Sequence, residues 1–191
     1  VMRWTFRTKF NTDIGNILAG DWKVSAPSDL RDPNTYKNIL GLRLGRNNIP
    51  LRYLDQLDFN SYYRDVAHST LASSITGAST TLVLTSSGDF DESGSVYIAA
   101  SSVAESIDTV AYTANTEATA TLSGVTGIAD SKSAAIDVWQ NISFGEPFAF
   151  TIHDSVVYFN IPFEDDLAGE NIYMDYYQEL QEANSDSDEL D

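Results

Sequence analysis

The stretch Gly145-Glu146-Pro147-Phe148-Ala149-Phe150-Thr151-Ile152-His153-Asp154-Ser155-Val156-Val157-Tyr158-Phe159 decides the fold class. Phe148 to Ile152 and Val156 to Phe159 are dominated by aromatic and β-branched residues, which fit a pleated, half-buried surface. The short polar link His153-Asp154-Ser155 reads as a tight turn, so the two runs predict a hairpin. Downstream, after the loop Glu164-Asp165-Asp166-Leu167-Ala168-Gly169, the run Asn171-Ile172-Tyr173-Met174-Asp175-Tyr176-Tyr177 predicts a third strand. Upstream, Asp21-Trp22-Lys23-Val24 predicts a strand that Ala26-Pro27-Ser28-Asp29-Leu30 stops, because proline lacks a ladder donor and Ser-Asp favours a turn. Asn38 to Leu44, the turn Gly45-Arg46-Asn47-Asn48 and Ile49 to Leu54 predict a second hairpin. From Asp55 to Arg64 the apolar spacing is near 3.6, predicting a short helix with Asp55 as N-cap and Asp58 in its first turn.

Composition shifts at about residue 69. From Ser69 to Ala135 the chain is rich in Ser, Thr, Ala and Gly and has neither Pro nor Trp. Its short alternating runs are Thr81–Leu84, Ser95–Ile98, Asp108–Tyr112 and Ala118–Leu122, separated by turn residues. That pattern predicts a small antiparallel β domain and not a spacer. The expected architecture is therefore mainly β: an antiparallel core from residues 1–68 plus 136–191, with one short helix, interrupted by an inserted β domain over 69–135.

The chain has 191 residues, 42% of them hydrophobic and 12% aromatic, which is enough for a packed core. It lacks cysteine, which excludes disulfide frameworks and thiolate chemistry, and only two histidines, His68 and His153, are available for imidazole chemistry. No apolar run approaches the ~20 residues of a transmembrane helix, and Val1-Met2-Arg3-Trp4 reads as neither signal peptide nor lipidation motif. The net charge of −17 is unevenly spread: residues 1–64 carry ten bases and six acids (+4), and residues 65–191 carry Lys132 alone against 22 acids (−21). Such a split suits either a self-repelling soluble surface or copies that meet positive face to negative face.

Several motifs are weighed and set aside. Asp89-Phe90-Asp91-Glu92-Ser93-Gly94 opens like a calcium loop, but the twelfth position, which should bring a bidentate acid, is Ala100. His153-Asp154-Ser155 holds the residue types of a hydrolase triad, but consecutive strand residues point to opposite faces. Glu164, Asp165 and Asp166 are adjacent loop acids, not carboxylates opposed across a cleft. Asn141-Ile142-Ser143 has the form of a glycosylation sequon, which alone indicates no more than a surface loop. No catalytic, metal or cofactor-binding set is expected.

In order, the outer segments run as a tryptophan-started strand at Trp4, the turn Pro27-Ser28-Asp29-Leu30-Arg31, Pro50-Leu51, and Leu57-Asp58-Phe59-Asn60 to Tyr63. They continue with Gly145-Glu146-Pro147 to Ile152, Val157-Tyr158-Phe159, and Tyr176-Tyr177 to Leu180 before a Ser/Asp-rich run. This order resembles the head-to-tail adaptor, or connector, proteins of tailed bacteriophages, with the insert similar to small β modules of phage virion proteins. Helices before the tryptophan strand and after the acidic run, usual in that family, are not among these 191 residues. The resemblance implies a virion structural protein, not an enzyme, assembled in the host bacterial cytoplasm. It implies a homo-oligomeric ring, commonly of twelve copies, between the portal protein and the tail nozzle of a short-tailed phage. Double-stranded DNA would pass through without specific binding, and a net-negative lining would not grip phosphates. Arg43, Arg46 and Arg52, clustered on the predicted hairpin, are the candidate inter-subunit contacts. The insert is expected to project outward. Two alternatives remain: a tail-fibre or capsid-decoration module contacting a host glycan, and a glycan-cleaving tailspike enzyme. The acidic, Ser/Asp-rich segment from Gln178 is expected to lack fixed structure unless a partner orders it.

Overall fold

The computed structural model describes residues 8–32, 36–46, 48 and 50–179. The expectations for the Trp4 strand, for Asn47 and Ile49, and for the segment from Leu180 onward lie outside them. The strands are β1 (Thr8–Asn16), β2 (Lys23–Ser25), β3 (Ile39–Leu44), β4 (Arg52–Tyr53), β5 (Ala67–Thr70), β6 (Thr81–Val83), β7 (Gly94–Ile98), β8 (Asp108–Tyr112), β9 (Ala114–Thr116), β10 (Thr121–Ser123), β11 (Asp137–Gln140), β12 (Ala149–His153), β13 (Val156–Phe159) and β14 (Asn171–Tyr177). One short helix, α1 (Gln56–Asn60), joins them, so the chain is mainly β with antiparallel sheets.

The deciding hairpin forms as read. β12 and β13 pair antiparallel from His153↔Val156 to Phe150↔Phe159. Asp154 and Ser155 both adopt the left-handed conformation that a two-residue hairpin of matching twist requires. β2 adds to the β13 edge, completing one sheet in the order β2-β13-β12-β4. A second sheet, β1-β14-β3, packs across from it. β14 alternates strictly, turning Ile172, Met174 and Tyr176 inward. They meet Ile17, Leu30, Leu42, Phe150, Val157, Phe159 and Phe163 in a core drawn from both ends of the chain. At ~25 cal/mol per Å² of apolar area removed from water, this buried set is the main source of stability for the outer unit.

One expected hairpin is not there. Residues 50–54 do not return along β3; among the described residues they meet β3 through the Arg43↔Pro50 bridge and the Leu51 N–H to Leu42 carbonyl bond of 2.7 Å. Pro50 has no N–H to extend that ladder, and the chain crosses instead to pair β4 with β12 in parallel. Leu51 and Leu54 are buried in different clusters, which fixes the crossing. The helix stands where the spacing places it: Asp55 Oδ1 accepts the N–H groups of Leu57 and Asp58 at 3.0 Å each.

Residues 67–140 build the second core around Leu71, Leu82, Val96, Ile98, Val110, Leu122 and Val138. Its sheets, β5-β11-β7-β8 and β6-β10-β9, are joined by the bridges Leu71↔Leu84 and Ala111↔Thr126. The run Ala118–Leu122 is not one strand. A 3₁₀ turn over Glu117–Thr119 and a left-handed Ala120 reverse the chain between β9 and β10. Lys132, the only base of the acidic part, lies fully buried, its Nζ 3.0 Å from Glu105 Oε2 and 3.9 Å from Asp108 Oδ2. Hydrogen bonds from the Ser101 hydroxyl and N–H, then from Lys132, lower the Glu105 carboxyl to about 2 despite the opposing cost of burial.

The two units meet along a seam. β5 and β11 are the strands through which the chain enters and leaves the insert, and opposite residues share a face. Val138 and Ser69 face the insert core, whereas Trp139 and His68 face the outer unit. Gly20, in the left-handed region, lies so close to Ala99 that a Cβ there would come within 2.8 Å of its backbone. The Ala100 N–H donates to the Ala19 carbonyl at 2.8 Å, and Trp139 Nε1 donates to the Gly20 carbonyl at 3.0 Å.

Candidate functional site

Aromatic side chains from five segments converge on this seam. Trp22 precedes β2, Tyr63 ends the 3₁₀ turn after α1, His68 and Trp139 stand opposite each other on β5 and β11, and Tyr158 lies on β13. Around Trp22 the ring centroids of Tyr63 and Tyr158 are 5.0 Å away, Trp139 5.4 Å and His68 5.5 Å, all tilted or edge-on. Such geometries suit the ring quadrupole. Tyr63 Oη donates to the Phe159 carbonyl at 2.6 Å, and burial pushes its phenol far above the ordinary value. His68 Nε2 lies 2.8 Å from Asp137 Oδ1, which Lys23 Nζ approaches at 3.4 Å. Burial, reinforced by the charge on Asp137, raises the Asp21 carboxyl above its ordinary value, against the N–H bonds it accepts from Trp22 and Lys23.

Beside this cluster opens a cavity of about 370 Å³. Its remaining walls are Gln56, Phe59 and Asn60 of α1, then Val66, Thr151 and His153. Across Tyr63 and Val66 lies a second hollow of about 350 Å³, edged by the exposed rings of Tyr62 and Phe148, 5.8 Å apart. Trp22 Nε1 is buried without an acceptor among the described residues. The arrangement offers ring faces and edges, amides, a hydroxyl and an imidazole: a set suited to holding a ligand by stacking and neutral hydrogen bonds. His153, the last residue of β12, and Asp154, the first of the hairpin turn, are both exposed, 3.4 Å apart. The Asp89–Gly94 segment is likewise a turn. The Asp91 N–H donates to Gln140 Oε1, and Tyr112 Oη donates to the Asp91 carbonyl. Among the described residues no three His, Asp or Glu side chains gather as a metal site, and no helix is long and apolar enough to cross a membrane.

The three arginines singled out from sequence do not share a hairpin. Arg43 lies on β3, where Nη1 donates to Asp175 Oδ2 at 2.8 Å and Nη2 to Asn11 Oδ1 at 2.6 Å. Arg46, in the turn after β3, donates to Asp166 Oδ2 at 2.8 Å. Arg52 is exposed on β4, in the other sheet, with no ion pair among the described residues. Lys23, Arg43 and Arg46 thus each meet an acid of the C-terminal part within one chain.

The turn Pro27–Arg31 and the end of β14 are stapled together. Tyr176 Oη donates to Asp29 Oδ1 at 2.6 Å, and Lys9 Nζ donates to the other oxygen of the same carboxylate. The Arg31 N–H donates to the Tyr177 carbonyl at 3.0 Å, and the Glu179 N–H to the Asp29 carbonyl at 2.8 Å. Burial opposes ionisation of Asp29, but the bonds from Lys9 and Tyr176 outweigh it and hold the carboxyl below its ordinary value.

Sequence reasoning placed Trp22 and Tyr158 on strands, gave Trp139 no element, and missed that Trp22 packs against both. The available signal was that the aromatic side chains His68 and Trp139 stand just before and just after the composition shift that bounds the insert. Comparison of the chain with known protein families, with curated proteins and with solved structures finds no match.

Proposed function

We propose that this chain is a head-to-tail adaptor subunit of a tailed phage, forming a closed ring between portal and tail through which DNA passes. The observation that supports it most is the staple between Asp29 and Tyr176. The Pro-Ser-Asp-Leu-Arg turn and the Tyr-Tyr strand, two of the signatures carrying the family resemblance, are 147 residues apart and hydrogen-bond directly. The Gly-x-Pro strand and the aliphatic-aromatic strand are the adjacent β12 and β13 behind them. A heterologous interface that closes generates a ring, and a net charge of −17 disfavours a grip on passing phosphates. With Arg43 held in a largely covered pair within the chain, the exposed Arg52 and the half-exposed Arg46 are the arginines of the three open to a neighbour.

The test is native mass by light scattering and native mass spectrometry of the chain, alone and with portal protein. A closed cyclic oligomer of about a dozen copies is the expected result. A stable trimer, as a fibre or decoration module would form, or a monomer that portal protein does not assemble, would refute the proposal.

A further inference from the structure

The cavity beside Trp22 is lined by rings, amides, a hydroxyl and two imidazoles, those of His68 and His153. Charged residues make up 20% of the chain, yet no Asp, Glu, Lys or Arg lines it. A charged ligand would lose its hydration there without a counter-ion to replace it. The rings of Trp22, Tyr63 and Tyr158 are half-buried in its wall. At the rim the amides of Gln56 and Asn60 are exposed and have no hydrogen-bond partner among the described residues. Each offers donors and an acceptor in one plane. Trp22 Nε1 is a buried donor without an acceptor among the described residues. The volume of about 370 Å³ stands near the lower end of small-molecule sites, which run from about 300 to 1,000 Å³.

We infer that this cavity binds an uncharged pyranose sugar, one ring face stacked on an aromatic side chain and its hydroxyls bonded to Gln56, Asn60 and His153. A sugar has the required combination of an apolar face and a rim of neutral donors and acceptors. A quaternary ammonium needs several ring faces turned to one centre, whereas the four rings around Trp22 pack tilted or edge-on against it. A nucleotide would bring a phosphate to a wall with no cation. The inference rests on the cavity alone and does not depend on the adaptor reading.

The test uses the full chain. Methyl α-D-glucopyranoside, methyl β-D-galactopyranoside and N-acetylglucosamine are titrated by tryptophan emission and by saturation-transfer NMR, with D-glucuronate, choline and thymidine as competitors. At least one neutral sugar binds, shifts the tryptophan emission, and holds at least about tenfold more tightly than glucuronate. Asn60→Ala, an exposed substitution whose melting curve is recorded alongside, removes the amide's donors and acceptor and weakens that sugar about three- to tenfold. The inference is overturned if no neutral sugar binds at about 10 mM, if Asn60→Ala binds as well as the parent, or if choline or thymidine binds more tightly than every sugar. Ring assembly is read separately by mass, so failure here leaves the adaptor proposal standing, and the reverse.

Discussion

Replacing Lys132 by methionine tests whether a single cation holds the inserted unit together. Methionine keeps most of the buried stem and removes only the ammonium. That group is fully inaccessible, 3.0 Å from Glu105, 3.4 Å from the Ser106 carbonyl and 3.9 Å from Asp108. Asp108 is itself only 4% exposed, and its other partners are two long bonds, from the Ala129 and Asp130 N–H groups at 3.3 and 3.4 Å. Breaking a buried pair from one side leaves an uncompensated charge and costs about 3–5 kcal/mol. For a chain of this size each kcal/mol lowers the melting temperature by about 2–4 °C, so a fall of roughly 6–20 °C is expected. Thermal and urea unfolding, both followed by far-UV circular dichroism, measure the fall and the free energy behind it. Adding Asp108→Asn removes the stranded charge and recovers part of the loss. Acid adds a second readout. The Glu105 carboxyl sits at about 2 in the folded chain against an ordinary 4.5, so its contribution is complete above about pH 4.5 and disappears as pH falls toward 2. In Lys132→Met one of the causes of that depression is gone, and the acid loss over this window shrinks. A single variant within about 1 kcal/mol of the parent, or a double variant no more stable than the single, would refute the reasoning.

Gly20→Ala forces a side chain into the left-handed region and against the Ala99 backbone, and should cost about 2–4 kcal/mol in chemical denaturation; a neutral result would mean the seam is looser than described. Asp21→Asn should stabilise the chain at pH 7. The raised carboxyl penalises the folded state wherever it is ionised, so the parent gains on the variant as pH falls through the folded pKa toward 3.8. Paired unfolding curves at pH 7 and pH 4 check the sign. Tyr63→Phe leaves the Phe159 carbonyl without its 2.6 Å donor and should cost about 1 kcal/mol, with the emission of Trp22 altered by the change at its neighbour. Replacing residues 72–134 by an Asn-Gly turn should leave a folded outer unit with one cooperative transition. The Ala135 N–H and Leu71 carbonyl already bond at 2.8 Å, and β5 and β11 remain to carry His68 and Trp139; loss of cooperativity would show that the outer core depends on the insert.

What was legible in the sequence was what local chemistry decides. The β12–β13 turn, the cap at Asp55 and the alternation of β14 each follow from a few neighbouring residues, and each formed where it was read. The course of residues 50–54 was not legible, because it is set by where Leu51 and Leu54 find burial in two separate clusters, and no local pattern encodes that. The aromatic seam was hidden for the same reason: its members come from five segments, and the period of each strand says which side chains share a face but not which face another segment will cover. The charge split shows how this changes a functional argument. On sequence alone, +4 against −21 invited a pairing between copies. In the structure Lys23 meets Asp137, Arg43 meets Asp175 and Arg46 meets Asp166, so part of the asymmetry is spent closing the chain's own two ends and its insert onto one another. Arg43–Asp175, about four-fifths covered and braced by Asn11, is the structural member of the three. Arg46–Asp166 is half-exposed and of the kind worth little energetically. It can therefore be exchanged for a partner's carboxylate at small cost, whereas Arg43 cannot. An interface between copies that uses these arginines has to be built on Arg52 and Arg46, and charge reversal at Arg43 would act on folding before it acted on assembly.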